Sequence, residues 1–289
     1  MSTTASTFSS HFSTVAPNYD VLLSDVWGVV HNGVAATANA CEALRQFRAR
    51  GGTVVLITNA PRPGDFVQRF IDGLNVPRDS YDAIVSSGDV TRALVHERAG
   101  ERVAHIGPPR DLPIFEGLDA SVVPVESADY VVCSGLHDDT TEGPDDYDDV
   151  IATMLKRKLP MICANPDIVV ERGDHLVYCA GAIADRYAAK GGDVTYAGKP
   201  YRPIYEQAMA AAHQARGRDT GRSRVLAIGD SVRTDLKGAA AFGIDCLFVT
   251  AGIHAEELGG RHNPDAAALS AMFKDAQVAP KLVMRQLVW

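Results

Sequence analysis

Apolar positions along the chain fall in short blocks separated by polar segments that carry glycine or proline. Val21-Leu22-Leu23-Ser24 is one such block. It leads into a lone carboxylate, Asp25, and Gly28 and Gly33 then allow the backbone to turn sharply. This pattern predicts a buried parallel strand delivering an acid to its C-terminal edge, the edge where ligands collect in open α/β sheets. Over 38–50, Ala40, Ala43, Leu44 and Phe47 recur at helical spacing and the pattern stops at Gly51-Gly52, so a helix is expected. A second strand, 53–57, runs into Thr58-Asn59-Ala60-Pro61-Arg62-Pro63, and a helix over 64–73 comes next. A third strand is expected at 82–86. Ser86-Ser87-Gly88 reads as a hinge-like breaker before a helix running to Arg98.

From about Glu101 the texture changes. Short strands at 103–106, 121–123, 130–133, 161–163 and 176–179 alternate with polar, proline-bearing loops and two helices, one of them at 147–158. The regular pattern returns near Asp193. A strand at 194–196 precedes Gly198-Lys199-Pro200, then come a helix at 203–215, a strand at 224–228 and Gly229-Asp230-Ser231-Val232-Arg233-Thr234-Asp235. A helix at 236–242, a strand at 244–249, and a tail with a helix and a last strand near Leu282 complete the chain. The fold class is therefore α/β: a Rossmann-like parallel sheet core interrupted by an inserted α/β domain. The core is assigned to 1–86 and 194–289, the insert to 87–193.

At 289 residues, 46% of them apolar and 22% charged, the chain has the length for two domains and the composition of a soluble globular protein. No stretch approaches the roughly 20 apolar residues that span a bilayer. The Ser/Thr-rich start, Met1 to Ser13, has neither a basic head nor an apolar block, so it is expected to be a loosely ordered lead-in and not a secretory signal. A net charge of -8 argues against nucleic acid or an anionic membrane as partner, since both need a concentrated basic surface. Cys41, Cys133, Cys163, Cys179 and Cys246 are an odd count without a close pair, and four sit in apolar runs; reduced, buried thiols in a cytoplasmic protein are expected. The acidic patch 138–149 lacks the ligand alternation of a calcium loop and instead suits the start of the helix at 147.

Four strand ends carry polar groups: Asp25; Thr58 and Asn59; Lys199; Asp230 with Asp235. Taken singly, each has a structural role open to it: Thr58 as a helix cap, Lys199 as a solvated amine, Asp25 and Asp230 as turn residues. Together, at one edge of a parallel sheet, they suit phosphoryl transfer through an aspartyl intermediate. Asp25 and Asp230 could share a Mg²⁺ ion, Lys199 could supply a point charge, and the Thr58 hydroxyl and Asn59 amide could donate to phosphoryl oxygens. Asp235 could sit behind the metal or orient Lys199.

Asp25-Val26-Trp27-Gly28-Val29, Thr58-Asn59, Gly198-Lys199-Pro200 and Gly229-Asp230 through Asp235 resemble the four motifs of the haloacid dehalogenase (HAD) superfamily, and with the long insert they resemble its class IIA, NagD-like branch with a C2-type cap. The resemblance covers nearly the whole chain. It implies a cap that closes over the site, phosphatase chemistry on small phosphorylated molecules, and Mg²⁺ held by Asp25, the main-chain carbonyl of Trp27, and Asp230, with Asp235 nearby. It also implies Gly28 beside the substrate and, as a second partner, another copy of the chain meeting through the cap.

One position departs from that family. Its phosphatases carry an aspartate two residues after the nucleophile as general acid, and here that position is Trp27, giving Asp-x-Trp-Gly. General acid catalysis is worth about 10²–10⁴-fold, and an indole N–H does not ionise near neutrality. Three readings are open: a Mg²⁺-dependent phosphatase, slowed or using His31 or a cap residue as substitute acid; a protein that binds phosphorylated metabolites without turnover; or hydrolysis at carbon, since superfamily members that dehalogenate small acids also carry an aromatic there. Arg62 could meet an anionic substrate group or serve only the surface. In the insert, 135–139 and Asn165-Pro166-Asp167 are polar and turn-like, and the latter is equally explained as a structural turn.

Overall fold

A computed structural model describes residues 7–172 and 175–289. The chain divides into two compact units: one comprises the described part of Met1–Thr58 with Gln68–Val85 and Tyr205–Trp289, the other Asn59–Val67 and Ser86–Ile204.

The first unit is built on a seven-stranded sheet. Its strands in chain order are β1 (Thr7–Phe8), β2 (Val21–Asp25), β3 (Thr53–Thr58), β4 (Ala83–Ser86), β12 (Val225–Gly229), β13 (Asp245–Val249) and β14 (Leu282–Met284). Their order across the sheet is β1-β14-β13-β12-β2-β3-β4. β2 lies between β12 and β3, parallel to both, with Leu23 opposite Ala227 on one side and Val55 on the other. Every residue of β2, β3 and β12 is buried, which is why these strands read as unbroken apolar runs and not as alternating ones. The helix α1 (Ala38–Ala49) buries Ala40, Cys41, Ala43, Leu44 and Phe47, the face its sequence spacing outlines. The helix expected after β3 is α2 (Gly64–Gly73).

The second unit has its own five-stranded parallel sheet, from β5 (Arg102–Ile106), β6 (Ser121–Val122), β7 (Tyr130–Cys133), β8 (Met161–Cys163) and β11 (Val194–Tyr196), in the order β11-β8-β7-β5-β6. Val131, Cys133, Met161 and Cys163 pack with Ile151 and Met154 of α4 (Asp148–Arg157) and with Ile183, Ala184 and Tyr187 of α5 (Ala180–Ala189). The fold is thus an α/β parallel-sheet, Rossmann-like core with an additional α/β region. No helix among the described residues is long and apolar enough to cross a membrane.

Four expectations change. Residues 1–6 of the Ser/Thr-rich start lie outside the described residues, but 7–13 are part of the fold: β1 pairs with β14, and Phe12 is fully buried against Phe47 and Trp289. Ser86-Ser87-Gly88 is no hinge; Ser86 and Asp89 form a reciprocal capping box that opens α3 (Ser87–His96). The strand expected at 176–179 is β10 (His175–Tyr178), which pairs antiparallel with β9 (Val169–Arg172) and stands outside the parallel sheet. In the acidic patch, Asp139 pairs with Arg110 and Arg172, and Asp148 with Arg186 and Lys190, so only part of that charge serves the helix start. All five cysteines are free and buried, as expected.

Phe12→Ala is expected to lower stability by about 3–5 kcal/mol in denaturant unfolding, the usual loss for a buried aromatic truncated in a core. A loss under about 1 kcal/mol would return this segment to the status of a loose lead-in.

Candidate active site

In the first unit, β2 ends at Asp25 and β12 hands over to Asp230 one residue past its end. Asp25, Asp230 and Asp235 are all buried, and one carboxylate oxygen from each lies within 4.8 Å of the others. At an effective dielectric of about 20, two unit charges at this separation repel by roughly 3 kcal/mol. Grouped in this way, the three carboxylates offer an all-oxygen donor set, which suits a hard divalent ion. The donor set therefore fits the metal that the sequence implies.

Close backbone approach holds the carboxylates in place. Asp25 Oδ1 accepts from the Val26 N–H (2.7 Å), and Asp230 Oδ2 accepts from the Ile253 N–H (2.8 Å). A Cβ at Gly28 (φ +87°) would fall 2.0 Å from Asp230 Oδ2, and one at Gly252 1.9 Å from it, so both positions need glycine. Asp235 Oδ2 accepts from the Ser231 N–H (3.1 Å), and Ser231 caps a wide π-type turn over Val232–Leu236. Thr58 closes β3 at the same edge of the sheet, where Asp25 stands opposite Ile57.

Trp27 is part of an aromatic cluster within this unit. Its ring stacks on Phe70 (centroids 6.3 Å, 10° apart) and meets the His31 ring edge-on at 5.0 Å. The indole N–H is buried with no hydrogen-bond partner among the described residues. A Cβ on Gly33 would lie 2.6 Å from Trp27 Cζ2, so the loop closes tightly on the ring. His31 is buried, and its Nδ1 accepts the Gly33 N–H (2.9 Å). Burial pushes its pKa down to about 4, so the ring is neutral at pH 7. His31 supports the loop, and its acceptor nitrogen and burial remove it as the substitute acid.

In the second unit, Asn59 and Lys199 are tied together. Asn59 Oδ1 accepts from the Lys199 N–H (2.7 Å), while Asn59 Nδ2 donates to the Lys199 carbonyl (3.1 Å) and to Asp167 Oδ1 (3.0 Å). Both amide hydrogens are thereby used. The side chain expected to donate to a ligand instead fixes the backbone at Lys199, whose own side chain is buried. Asn165-Pro166-Asp167 is a turn, with Asn165 Oδ1 accepting the Asp167 N–H (3.1 Å), and it also anchors Asn59. Arg62 Nε faces the buried Asp111 at 3.7 Å. Sequence reasoning missed Asp167's hold on Asn59 and the Ile253 N–H on Asp230; only the glycine turn after β13 signalled the latter.

Residues 22–121 match a family described as haloacid dehalogenase-like hydrolase, and residues 196–281 match a second, HAD-hydrolase-like. Among solved structures, a hydrolase of the haloacid dehalogenase-like family from Brucella suis 1330 is 44% identical, with a TM-score of 0.87 over 97% of this chain and 100% of that one. The D-glycerol 3-phosphate phosphatase of Mycobacterium tuberculosis is 28% identical over 83% of this chain, which spans 65% of that relative's length. A crystal structure of glycerol phosphate phosphatase from Mycobacterium tuberculosis in complex with magnesium is 25% identical, with a TM-score of 0.64 over 83% of this chain and 70% of that one. With 44% identity sustained across both chains, and with an acid at the end of β2 facing two more after β12, this chain belongs to the haloacid dehalogenase-like hydrolases.

Proposed function

We propose that the chain is a Mg²⁺-dependent phosphatase of small phosphorylated molecules, working through an aspartyl-phosphate on Asp25 and lacking the general acid usual in such enzymes. The observation that carries this is the buried Asp25–Asp230–Asp235 trio, and the phosphatase named among its relatives supports it. The class IIA assignment, with the Asp-x-Trp-Gly variant of the first motif, rests on the motifs and the inserted α/β unit.

Asp25, the Trp27 carbonyl and Asp230 would hold Mg²⁺, with Asp235 behind them. The ion, when bound, neutralises the phosphoryl dianion so that a carboxylate can approach phosphorus. Asp25 then forms the acyl phosphate as the bond to the leaving oxygen breaks, and water hydrolyses it. Thr58 donates its hydroxyl to a phosphoryl oxygen and Lys199 adds a point charge. Asn59 and Asp167 keep Lys199 in position. Trp27 shapes the loop without donating a proton, so the leaving group departs as its anion or takes a proton from solvent.

The candidate partners are the phosphorylated substrate and a second copy of the chain meeting through the cap; the acidic balance disfavours nucleic acid and membrane. Five buried free thiols suit a reducing, cytoplasmic setting.

A panel of aryl phosphates tests the reaction. Rates are expected to climb steeply as the leaving group becomes more acidic, to vanish on chelation and return with Mg²⁺, and to drop by about 10³-fold or more in Asp25→Asn, on the scale of losing a nucleophile. A flat dependence would mean that an acid is present, while halide release from a 2-halo acid, with no ester cleaved above the Asp25→Asn background, would move the chemistry to carbon.

His31 gives a separate check by pH. Its folded pKa of about 4 lies below the ordinary 6.5, so from pH 6.5 downward the unfolded chain takes up a proton that the folded chain refuses. Stability should therefore fall as pH drops from 6.5 to 4, by up to roughly 3 kcal/mol from this residue. Melting curves of His31→Gln should show a shallower fall over that window, and an unchanged slope would show that His31 titrates normally.

A further inference from the structure

Two loops of the first unit interlock beside the carboxylate trio. The loop after β13 sends the Ile253 N–H to Asp230 Oδ2 (2.8 Å), and the loop after β12 returns a bond, from the Val232 N–H to His254 Nε2 (3.3 Å). Ile253 and His254 are consecutive, so one short stretch of chain grips both the carboxylate of Asp230 and the backbone two residues beyond it. A Cβ at Gly252 would strike Asp230, which shows how closely the two loops approach.

The Val232 N–H opens the turn Val232–Leu236 and has no acceptor within it. Ser231 caps that turn, but its hydroxyl takes the Thr234 N–H (3.3 Å) and its carbonyl takes those of Asp235 (3.0 Å) and Leu236 (3.1 Å). The first N–H of a helical turn needs an acceptor from outside, and His254 supplies it. Asp235 rides on the same turn, with Oδ2 on the Ser231 N–H (3.1 Å). The His254 ring therefore bears on the segment that joins two members of the trio.

The ring is itself held. Accepting the Val232 N–H requires a bare Nε2, so the hydrogen of the neutral ring is assigned to Nδ1, where it points to Glu257 Oε2 (3.0 Å). The buried Phe248 ring faces it at 6.2 Å between centroids. Backbone bonds from the Ala255 N–H to Gly252 (3.0 Å) and from the Leu258 N–H to His254 (3.1 Å) close the loop on itself and fix Glu257 one turn from His254. Only 20% of the His254 side chain is exposed, while Glu257 stands in solvent. A carboxylate thus sets the tautomer and direction of a histidine, as it does behind many metal-bound histidines; here the histidine serves a backbone N–H. With both ring nitrogens engaged, His254 is not one of the clustered donors.

We propose that His254, oriented by Glu257, is a positioning residue for the divalent-cation site: by holding the Val232 N–H it sets the turn that carries Asp235 and keeps the Ile253 N–H on Asp230. This rests on the metal-dependent reading of the trio. Removing a contact of this kind, one step behind the donors, characteristically weakens metal binding by about 10–100-fold.

Calorimetric titration of the full chain with Mg²⁺ tests this, with the melting temperature of each variant recorded alongside. His254→Ala is expected to raise the Kd for Mg²⁺ by about tenfold or more. His254→Gln can place an amide oxygen where Nε2 stands and should bind within about threefold of the wild type, whereas His254→Asn, too short to reach Val232, should bind as weakly as His254→Ala. Glu257→Gln should weaken binding more than Glu256→Gln, which removes the same charge from the neighbouring residue outside the brace. Should His254→Ala fail to fold, the comparison of His254→Asn with His254→Gln decides. Equal Mg²⁺ affinity in those two variants, or a Kd in His254→Ala within about threefold of the wild type, would overturn the His254 assignment and leave the metal site standing. Absence of Mg²⁺ binding by the wild type would overturn both.

Discussion

Mutual repulsion among three buried carboxylates is the constraint to which the rest of the core unit answers. Asp25, Asp230 and Asp235 bring their oxygens within 4.8 Å of one another under cover from solvent. A fold that merely needed stability would not assemble like charges in this way, because each pair is unfavourable unless a counter-charge sits between them. The sequence around them shows how strictly their positions are set. Gly28, Gly229 and Gly252 are glycine because any Cβ there would strike Asp230 or Asp235. The N–H groups of Val26, Ser231 and Ile253 each take one carboxylate oxygen and hold it.

The second unit works by the opposite principle. Its polar groups are held by hydrogen bonds to one another: Asn59 between Lys199 and Asp167, and Ser134 against His105. Such networks rigidify when every member is satisfied. The core unit thus gathers three buried carboxylates, while the second unit fixes the backbone at Lys199. Trp27 belongs to neither set. Its ring packs with Phe70 and His31 over the loop that follows Asp25.

Much of this was legible in the sequence because parallel strands buried on both faces read as continuous apolar runs, and the residues directly after each run stand at the ligand-bearing edge. That logic located Asp25, Thr58 and Asp230 at strand ends or one residue beyond. It failed where the decisive contact joins residues distant in the chain. Nothing near Asp167 announces that its carboxylate takes the Asn59 amide, 108 residues away. The β9–β10 pair is half legible: a strand is expected at 176–179, one residue off the observed His175–Tyr178, while its partner, with the polar end Glu171-Arg172, does not read as a strand. The segment expected to be loose is held by Phe12, one aromatic in a Ser/Thr-rich stretch, whose partners Phe47 and Trp289 lie far along the chain. His31 looked available for proton transfer because sequence shows proximity to Asp25 and not burial.

The central claim is that the carboxylate trio is completed by a divalent cation. The most direct measurement is the melting temperature of the chain as a function of Mg²⁺ concentration, with Asp230→Asn in parallel. A ligand that binds only the folded state adds about 2.7 kcal/mol at a hundred times its Kd. The wild type should therefore rise in melting temperature and saturate with Mg²⁺, while Asp230→Asn, which removes one carboxylate from the donor set, should respond weakly to it. A wild type indifferent to Mg²⁺, or an Asp230→Asn variant that responds just as strongly, would contradict the account.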